Sequence, residues 1–323
     1  MKKCILAALC VCAMLSGGYT QAEEAYPSRP ITLIVPSSPG GGADFLARFI
    51  SPELARLLGK PIVIENKPGA SGTIAGSMVS KTKPDGYTLI MAQAASIVAA
   101  PYIYKHLTYK PLKDLVPVAL VAKLPNILAV NAKSDIKSLA ELIAMAKAKP
   151  GTVTFGSSGF GTPSHLAGEM LQEVAGIKMI HVPYKGAGPA ANALLANQIN
   201  AMFVLSSTAL PMLSSKEIRA LAVSSAERSP TVPDIPTVAE LGFPGFEVNS
   251  WFGVFAPAGT PHSVIEKLNT GIARVLKEPK TEKAFKNLSM DAGGGSPAQF
   301  QKFIDSESQV AERLINRSGA VAK

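Results

Sequence analysis

The chain has 323 residues, a length that accommodates about two domains. Its formal net charge is +9, but the basic residues are scattered rather than clustered with aromatic residues, which argues against a nucleic-acid partner. All three cysteines, Cys4, Cys10 and Cys12, lie near the N-terminus, which excludes disulfide or thiol chemistry from the rest of the chain.

Residues 1–22 are typical of an export signal. Lys2 and Lys3 form a basic start, the run from Ile5 to Leu15 is apolar, and Ala22 ends a small-residue cleavage site. The apolar run is too short to span a bilayer comfortably, and no later segment is long and apolar enough. We therefore expect an exported, soluble protein, cleaved near Ala22 and without a lipid anchor. Loss of both leader lysines lowers the formal net charge to +7, which suits an anionic ligand or simply a soluble periplasmic protein.

The stretch from Ile31 to Asp44 predicts a strand, a Gly-rich turn and a helix start. Its first five residues are apolar or β-branched, as in a buried strand, and two prolines and three consecutive glycines then turn the chain. An apolar helical pattern follows from Phe45 to Leu58. Backbone N–H groups at such a helix start hold an anion without a charged side chain. The alternative is a glycine turn that only lets the helix pack on the strand, since the loop matches neither a P-loop nor a dinucleotide fingerprint.

The same order of elements continues through the first half of the chain. Pro61 to Glu65 predicts a second buried strand, which leads into the Gly-rich loop from Asn66 to Thr73 and a short helix. Tyr87 to Met91 predicts a third strand. Strands that alternate with helices in this way indicate a parallel sheet with crossover helices.

The second half repeats this layout. Strands are predicted at Thr152 to Gly156, Met179 to Val182, and Ile199 to Leu205, and the first two lead into Gly-rich loops before helices. Capping patterns at Ser138, Thr237 and Ser296 predict three further helix starts. Two crossings of the chain, near residues 122–128 and 248–256, leave the C-terminal helices to return to the first domain. The expected fold is therefore α/β, with two lobes joined by two strands.

Four loops are expected to face one cleft, because ligands bind outside the C-terminal ends of parallel strands and at domain interfaces. Each loop precedes a helix N-terminus, so two termini from each lobe would hold a dianion from both ends. The alternative is four ordinary turns between strands and helices. The loops are Ser37 to Gly42, Ala70 to Thr73, Ser157 to Thr162, and Gly186 to Gly188.

Asp44 and His165 have two open interpretations each. Asp44 either stabilises the helix dipole, or orients the loop amides or binds an ammonium or a water. His165 either touches a ligand or is a packed histidine. The sequence gives little support for an enzyme, because the histidines lack metal-ligand spacing and the segments Gly156 to Gly159 and Gly69 to Gly72 both miss the G-x-S-x-G pattern by one position. Paired carboxylates with acid/base spacing are also missing.

Several further motifs occur together, in order, over essentially the whole mature chain. They are Asp44 with Ala47-Arg48, Asn66 to Gly72, Pro84 to Leu89, His165 to Glu169, His181 to Gly186, and Trp251 to Pro257. In these motifs the chain resembles the Bug family of periplasmic solute receptors of tripartite tricarboxylate transporters. The resemblance implies a type II, Venus-flytrap fold in the periplasm, with mainly parallel sheets. It also implies a monomeric receptor without a cofactor, which delivers a small organic carboxylate to a membrane permease.

The resemblance adds the loop from Ala92 to Ser96 to the candidate site. The expected domains are a signal peptide at residues 1–22, a first lobe at 23–124 and 251–323, and a second lobe at 125–250. The candidate ligand-binding residues are Ser37, Ser38, Gly40, Gly41, Gly42, Asp44, Ala70, Ser71, Gly72, Thr73, Gln93, Ser96, Ser157, Ser158, Gly159, Thr162, His165 and Ser206.

Two departures from the family pattern bear on the ligand. Ala193 and Val204 stand where the family commonly has acidic residues, and Gln93 and Ala95 replace small polar or glycine residues. We therefore expect a less acidic and more apolar cleft that takes an organic acid, aromatic acids included, rather than an amino acid. Two alternatives remain at this point: an exported enzyme acting on a small carboxylate or ester, and a ligand-sensing partner of a signalling system.

Overall fold

The computed structural model describes residues 26–320, which form two α/β lobes. The predicted leader, its cleavage site and the three cysteines lie outside the described residues. The strands are β1 (Ile31–Val35), β2 (Ile62–Asn66), β3 (Thr88–Gln93), β4 (Leu115–Leu124), β5 (Asn126–Asn131), β6 (Thr154–Ser157), β7 (Ile180–Pro183), β8 (Ala201–Leu205), β9 (Ile218–Val223), β10 (Ser250–Pro257) and β11 (Asp291–Gly294).

Helices pack around both sheets, and none within residues 26–320 combines the length and apolar character that crossing a bilayer requires. A 3-10 turn spans Ala70–Gly72, and a π-helical turn spans Ala95–Ala99. The α-helices are α1 (Gly42–Leu58), α2 (Thr73–Val79), α3 (Ala100–Ile103), α4 (Pro111–Asp114), α5 (Leu139–Ala148), α6 (Pro163–Ala175), α7 (Ala187–Leu195), α8 (Ser206–Ser214), α9 (His262–Leu276), α10 (Pro279–Asn287) and α11 (Pro297–Ser318).

The first lobe is built on a six-stranded sheet in the order β11-β4-β10-β3-β1-β2. β1 pairs in parallel with β2 and β3, whereas β10 runs antiparallel to β3 and β4, and β11 antiparallel to β4. The second lobe has a five-stranded sheet in the order β7-β6-β8-β5-β9. Here β6 is parallel to β7 and β8, and β5 is antiparallel to β8 and β9. Most strands of each sheet therefore point the same way, whereas β10 and β11 run against the rest of the first sheet and β5 runs against the rest of the second.

The two crossings between the sheets lie side by side. β4 ends at Leu124 and β5 begins at Asn126, while β10 pairs with β4 by placing Ser250 opposite Leu124. Buried hydrogen bonds tie the crossings together. The Asn126 amide nitrogen donates to Ser224 Oγ at 2.8 Å, and Asn126 Nδ2 donates to the Val248 carbonyl oxygen at 3.2 Å. Since such groups are costly to leave unpaired in the interior, these bonds fix the two crossings relative to each other.

Two predicted buried strands are edge strands instead. Val63 of β2 and Ile180 of β7 are each 47% exposed. The short apolar runs predict strands correctly, but their place in the sheet depends on distant partners. Each of these strands pairs on one side alone, so part of its apolar surface faces solvent.

The capping predictions have mixed outcomes. The box at Ser296 forms in full, with Gln299 as its partner. Ser138 Oγ accepts from the Glu141 amide, but the Glu141 carboxylate accepts from Lys137 instead of Ser138. The predicted helix after Thr237 is wrong: both capping hydrogen bonds form with Glu240, yet a turn follows because Gly242 and Pro244 end the segment.

Candidate functional site

Three loops of the first lobe converge at Gly72. A Cβ atom at Gly72 would lie 3.1 Å from the Cβ atoms of both Pro36 and Ser96. These two residues belong to the loop after β1 and to the π-helical turn after β3. Parallel strands β1, β2 and β3 therefore bring the candidate loops to one edge of the sheet.

The backbone of the second loop is strained. Ala70 and Ser71 have φ values of 44° and 54°, between Gly69 and Gly72, which also have positive φ. Left-handed backbone at non-glycine residues costs about 1–2 kcal/mol per residue. Such strain persists where the surroundings impose it, and it is concentrated at binding sites. Tyr104 and Thr73 hold this loop, since the Tyr104 hydroxyl donates to Ser71 Oγ at 3.4 Å and Thr73 Oγ1 to the Ala70 carbonyl oxygen at 2.9 Å.

The loop before α1 is organised by Asp44. The side chain is buried, and its Oδ2 accepts from the Gly40 amide at 2.9 Å. Arg48 Nε donates to both carboxylate oxygens at 3.0 Å, and Asn66 Nδ2 donates to Oδ1 at 2.8 Å. Burial by itself would raise the pKa of Asp44, but the hydrogen bonds from Arg48, Gly40 and Asn66 outweigh it and lower that pKa below its usual value. Asp44 is therefore an ionised residue that orients the loop.

The segment after β3 differs from the expected loop. β3 extends to Gln93, and the chain then forms the π-helical turn, in which Ser96 is fully buried. Ser96 Oγ donates to the Gln93 carbonyl oxygen at 3.0 Å, and the Ser96 carbonyl oxygen accepts from the Tyr109 hydroxyl at 2.9 Å. Single π-helical turns are frequent at functional sites. Here the Gln93 side chain is half-buried, and the Ser96 hydroxyl bonds to the Gln93 backbone.

The loop after β6 is closed by hydroxyl groups. Ser157 Oγ lies 3.1 Å from the Gly159 amide, which donates to it, and Thr162 Oγ1 donates to the Gly159 carbonyl oxygen at 2.7 Å. The Ser158 amide donates to Ser164 Oγ at 3.1 Å. Ser157 and Thr162 are buried, while Ser158 and Gly159 are half-buried. The tip of the loop is thus its more accessible part.

His165 lies underneath this loop. Its side chain is buried, and Nδ1 accepts from the Gly161 amide at 3.1 Å. Its ring stacks on His181 with the centroids 4.1 Å apart, and Phe160 packs edge-on against both. The structure therefore agrees with the packed-histidine interpretation.

Ser157 and His181 form a pair that a hydrolase could use, since Ser157 Oγ and His181 Nε2 are 2.6 Å apart. However, burial, and secondly the nearby His165, lower the pKa of His181 to about 3. A general base works best with a pKa near the operating pH, and Ser157 is fully buried. The pair is therefore suited to holding the loop and not to catalysis.

The loops of the two lobes face each other. A Cβ atom at Gly161 would lie 2.8 Å from the Ala99 Cβ and would also contact Ile103, and both neighbours belong to the first lobe. At the base of the cleft, Leu205 packs against the apolar cluster of the first lobe that contains Phe252. A Cβ atom at Gly42 would lie 3.1 Å from the Phe252 ring. The glycine turn before α1 and the end of β8 therefore both pack against the same apolar cluster of the first lobe.

The helices that begin at these loops lack side-chain caps. The side chains of the N-cap residues Gly41, Gly72, Thr162 and Gly186 accept no hydrogen bond from a backbone amide of the first turn. An uncapped start is not confined to the cleft, because α9 and α10 share it. In these four helices it leaves the first-turn N–H groups without a side-chain partner, at helix ends that carry a partial positive charge.

Three candidate residues have buried polar atoms without a hydrogen-bond partner in the described part of the chain. They are Ser37 Oγ, Ser206 Oγ and His165 Nε2. Buried polar groups are normally paired, so each of these atoms needs a partner. Glu169 Oε1 approaches His165 Nε2 at 3.6 Å, which is too long for a hydrogen bond. Ser37 and Ser206, one from each lobe, are the better candidates for a group bound in the cleft.

Ala193 and Val204 have no bearing on the charge of the cleft. Both side chains are buried in the apolar cluster of the second lobe, with neighbours such as Leu194 and Met202. The expectation of a less acidic cleft therefore cannot rest on these two positions. Between residues 26 and 320, no cluster of histidine, aspartate and glutamate is arranged to hold a metal ion.

Comparison with known proteins identifies the family. The family model described as "Tripartite tricarboxylate transporter family receptor" matches residues 46–320. The chain belongs to this receptor family. Protein BugT of Bordetella pertussis is 37% identical over 303 residues, which are 94% of this chain and 93% of BugT. A UPF0065 protein from Pseudomonas sp. strain P51 is 37% identical over 96% of this chain and 93% of its own length.

Solved structures of the receptor family have the same fold. Rpa4515 of R. palustris, determined with adipate, is 35% identical and superimposes with a TM-score of 0.84, covering 92% of this chain and all of that one. MatC of Rhodopseudomonas palustris, determined with bound malate, is 33% identical with a TM-score of 0.80 over 90% of this chain. Both fold and family are those of a receptor, which agrees with the lack of enzyme motifs.

Sequence reasoning missed several residues that build the site. Arg48 and Asn66 were noticed only as parts of motifs, and His181 likewise. Phe252 belongs only to the motif from Trp251 to Pro257, and Tyr104 belongs to none of the motifs. The signal that could have found Asn66 is its position at the end of a strand next to β1, since polar side chains at neighbouring strand ends meet at one edge of a parallel sheet.

Proposed function

We propose that this protein captures a small organic carboxylate between its two lobes and delivers it to a membrane permease of the tripartite tricarboxylate type. The observation that carries the proposal is the meeting of the first-lobe loops at Gly72, and of the second-lobe loop at Gly161 with Ala99, beside helix starts that lack side-chain caps. Main-chain N–H groups and helix dipoles favour carboxylates there. The relatives determined with adipate and with malate support the same ligand class.

The proposed contacts fall into two groups. The accessible parts of the loops, such as Ser38, Gly40, Ser71 and Ser158, are proposed to meet the carboxylate groups with amides and hydroxyls. The buried members, among them Asp44, Ser96, Ser157, Thr162 and His165, are proposed to hold those loops in place. The remaining candidates, Ser37, Gly41, Gly42, Ala70, Gly72, Thr73, Gln93, Gly159 and Ser206, complete the proposed lining.

The organisation of the chain follows from the same proposal. We place the first lobe at residues 23–124 and 251–323 and the second lobe at 125–250, with a cleaved signal peptide at 1–22. The receptor acts in the periplasm as a monomer and needs no cofactor. Capture of the permease subunits by the tagged receptor from solubilised membranes tests the transport role, and capture of a signalling kinase instead would overturn it.

A ligand panel tests the binding role. Adipate, malate, citrate and benzoate are compared with aspartate and glutamate by thermal shift and calorimetry. Trp251, the single tryptophan of the chain, is the second residue of β10, beside the second crossing between the lobes, so its emission should change when the lobes close. Stabilisation by at least one carboxylate without an amino group is expected. Stabilisation by amino acids alone, or by none of these compounds, would contradict the proposal.

A further inference from the structure

Asp44, Arg48 and Asn66 form a closed network of hydrogen bonds, here called the Asp44 clasp. Arg48 Nη2 donates to Asn66 Oδ1 at 3.1 Å, and Asn66 Nδ2 donates to the Ser37 carbonyl oxygen at 2.9 Å as well as to Asp44. The Asn66 side-chain amide thus uses its oxygen and its nitrogen in three bonds. With the bond from the Gly40 amide to Asp44, the clasp holds the loop before α1 at both ends, Ser37 and Gly40.

The clasp places a carboxylate where the proposed function needs a positive potential. Asp44 lies in the first turn of α1, beside the amides proposed to meet an anion. A bare carboxylate there would repel a dicarboxylate, and the repulsion is strong where water is excluded. Arg48 lies one helical turn further on and binds both oxygens of Asp44 through Nε, so the pair carries no net charge.

The same contacts argue against Asp44 as a receptor for a ligand ammonium. Its Oδ1 accepts from Arg48 and Asn66, and its Oδ2 accepts from Gly40 and Arg48. An amino group would have to displace one of these donors. The carboxylate is therefore already engaged by the protein itself.

We propose that Arg48 and Asn66 are positioning residues, which neutralise Asp44 and set the loop from Ser37 to Gly42 so that its amides accept an anionic ligand. This inference rests on the proposed function. Arg48 acts through Asp44 and not through contact with the ligand, and Asn66 joins the end of β2 to the loop.

The first measurement needs no ligand. Amide hydrogen exchange at Gly40 is compared in the wild type, Arg48→Gln, Asn66→Ala and the control Arg56→Gln. Arg56 lies on the same helix and pairs with Glu53, away from the loop, and both arginines are largely exposed, so the variants should fold. Gly40 exchange should be at least about tenfold faster in the two clasp variants, because Asp44, which accepts from the Gly40 amide, is less firmly held without Arg48 or Asn66. Exchange equal to that of Arg56→Gln would overturn the inference.

The second measurement uses adipate and malate as probes. Arg48→Gln should weaken the binding of either dianion by about tenfold, since it exposes the Asp44 charge. The double variant Asp44→Asn/Arg48→Gln should restore affinity to within about threefold of the wild type, because it removes that charge. Arg56→Gln should bind as the wild type does.

The outcomes separate the two proposals. A double variant as weak as Arg48→Gln would overturn the role of Arg48 in neutralising Asp44. A wild type that binds neither adipate nor malate would count against the proposed function, and the exchange of the Gly40 amide would then decide the inference by itself.

Discussion

The pKa of Glu307 is set in part by residues that lie where the chain crosses between the two sheets. Trp251, next to the crossing residue Ser250, donates from Nε1 to Glu307 Oε2 at 3.1 Å. Burial raises the pKa of Glu307 to about 7, and although Trp251 and Lys123 lower it, Glu247 raises it further. The Lys123 ammonium itself lies 4.2 Å from the centroid of the Phe303 ring. The carboxyl group therefore changes its charge near neutral pH.

This pKa predicts a pH-dependent loss of stability. The folded protein holds the Glu307 proton up to about pH 7, whereas the unfolded chain releases it near pH 4.5. The contribution is therefore fully present below pH 4.5 and is lost as the pH rises to about 7. Its size is at most about 3.5 kcal/mol, at about 1.4 kcal/mol per pKa unit. Urea unfolding of Glu307→Gln at pH 5 and pH 8 should show a smaller difference in the free energy of unfolding than the wild type does.

Glu312→Gln is the matched control, because Glu312 is exposed on the same helix, α11. Its difference between the two pH values should equal that of the wild type. If Glu307→Gln and Glu312→Gln behave alike, burial of Glu307 does not govern its protonation. The emission of Trp251 offers a second readout, since the indole is bonded directly to the titrating group.

Residue roles were predictable from the sequence where they depend on neighbours along the chain. The place of Asp44 in the first turn of α1 follows from the glycine run before it. Its bond to Asn66 does not, because Asn66 is 22 residues further on and reaches Asp44 only through the pairing of β1 with β2. His181 and Ser157 are likewise joined across two parallel strands.

At the scale of elements, Gly72 is the point where three loops meet, and its φ is +93°. Gly59, which ends α1, has φ of +74° and no atom within 4 Å of its would-be Cβ. Replacing either glycine by alanine should cost about 1 kcal/mol of stability, because alanine disfavours left-handed backbone. Gly72→Ala should in addition displace Pro36 and Ser96, and weaken adipate binding at least about tenfold.

Isothermal titration of adipate into both variants checks this expectation, with thermal unfolding as the measure of the shared backbone cost. Affinity should be unchanged in Gly59→Ala. Equal losses of affinity in the two variants would show that the convergence of the loops at Gly72 does not matter for binding.

Elements were predictable from local patterns, but their surroundings were not. The run from Ile31 to Val35 predicts β1 because five apolar residues followed by prolines and glycines allow few other structures. The runs at β2 and β7 look the same in sequence, yet the order of the strands places them at sheet edges. The π-helical turn after β3 has no sequence signal that we recognise.

At the scale of the whole molecule, the contact of Gly161 with Ala99 and Ile103 joins the two lobes. Gly161→Ala should hold the lobes apart, since the added methyl group meets both neighbours, and it should therefore weaken adipate binding and closure. Gly176→Ala is the control, because Gly176 has a similar φ of +61° and open space around it. Small-angle scattering should show a smaller decrease in the radius of gyration on adding adipate for Gly161→Ala than for Gly176→Ala. The same decrease in both variants would contradict this role of Gly161.

The two-lobed arrangement was predictable because alternating strands and helices, broken twice by extended runs, leave few alternatives. The contacts between the lobes were not predictable from the sequence. α11 packs against β4 of the first lobe, and its Arg313 pairs with Glu173 of α6 in the second lobe at 3.1 Å. This pair is separated by 140 residues, and nothing in the local sequence of either partner indicates the other.

The uncapped helix starts have a consequence for how such receptors diverge. A peptide N–H is common to every amino acid except proline, so ordinary point mutations at these turns leave the donors in place. Side chains around them are then free to change in size and polarity across generations while the attraction for a negative charge persists. After gene duplication, such a receptor can thus change its ligand specificity by single substitutions, without an intermediate that no longer binds carboxylates.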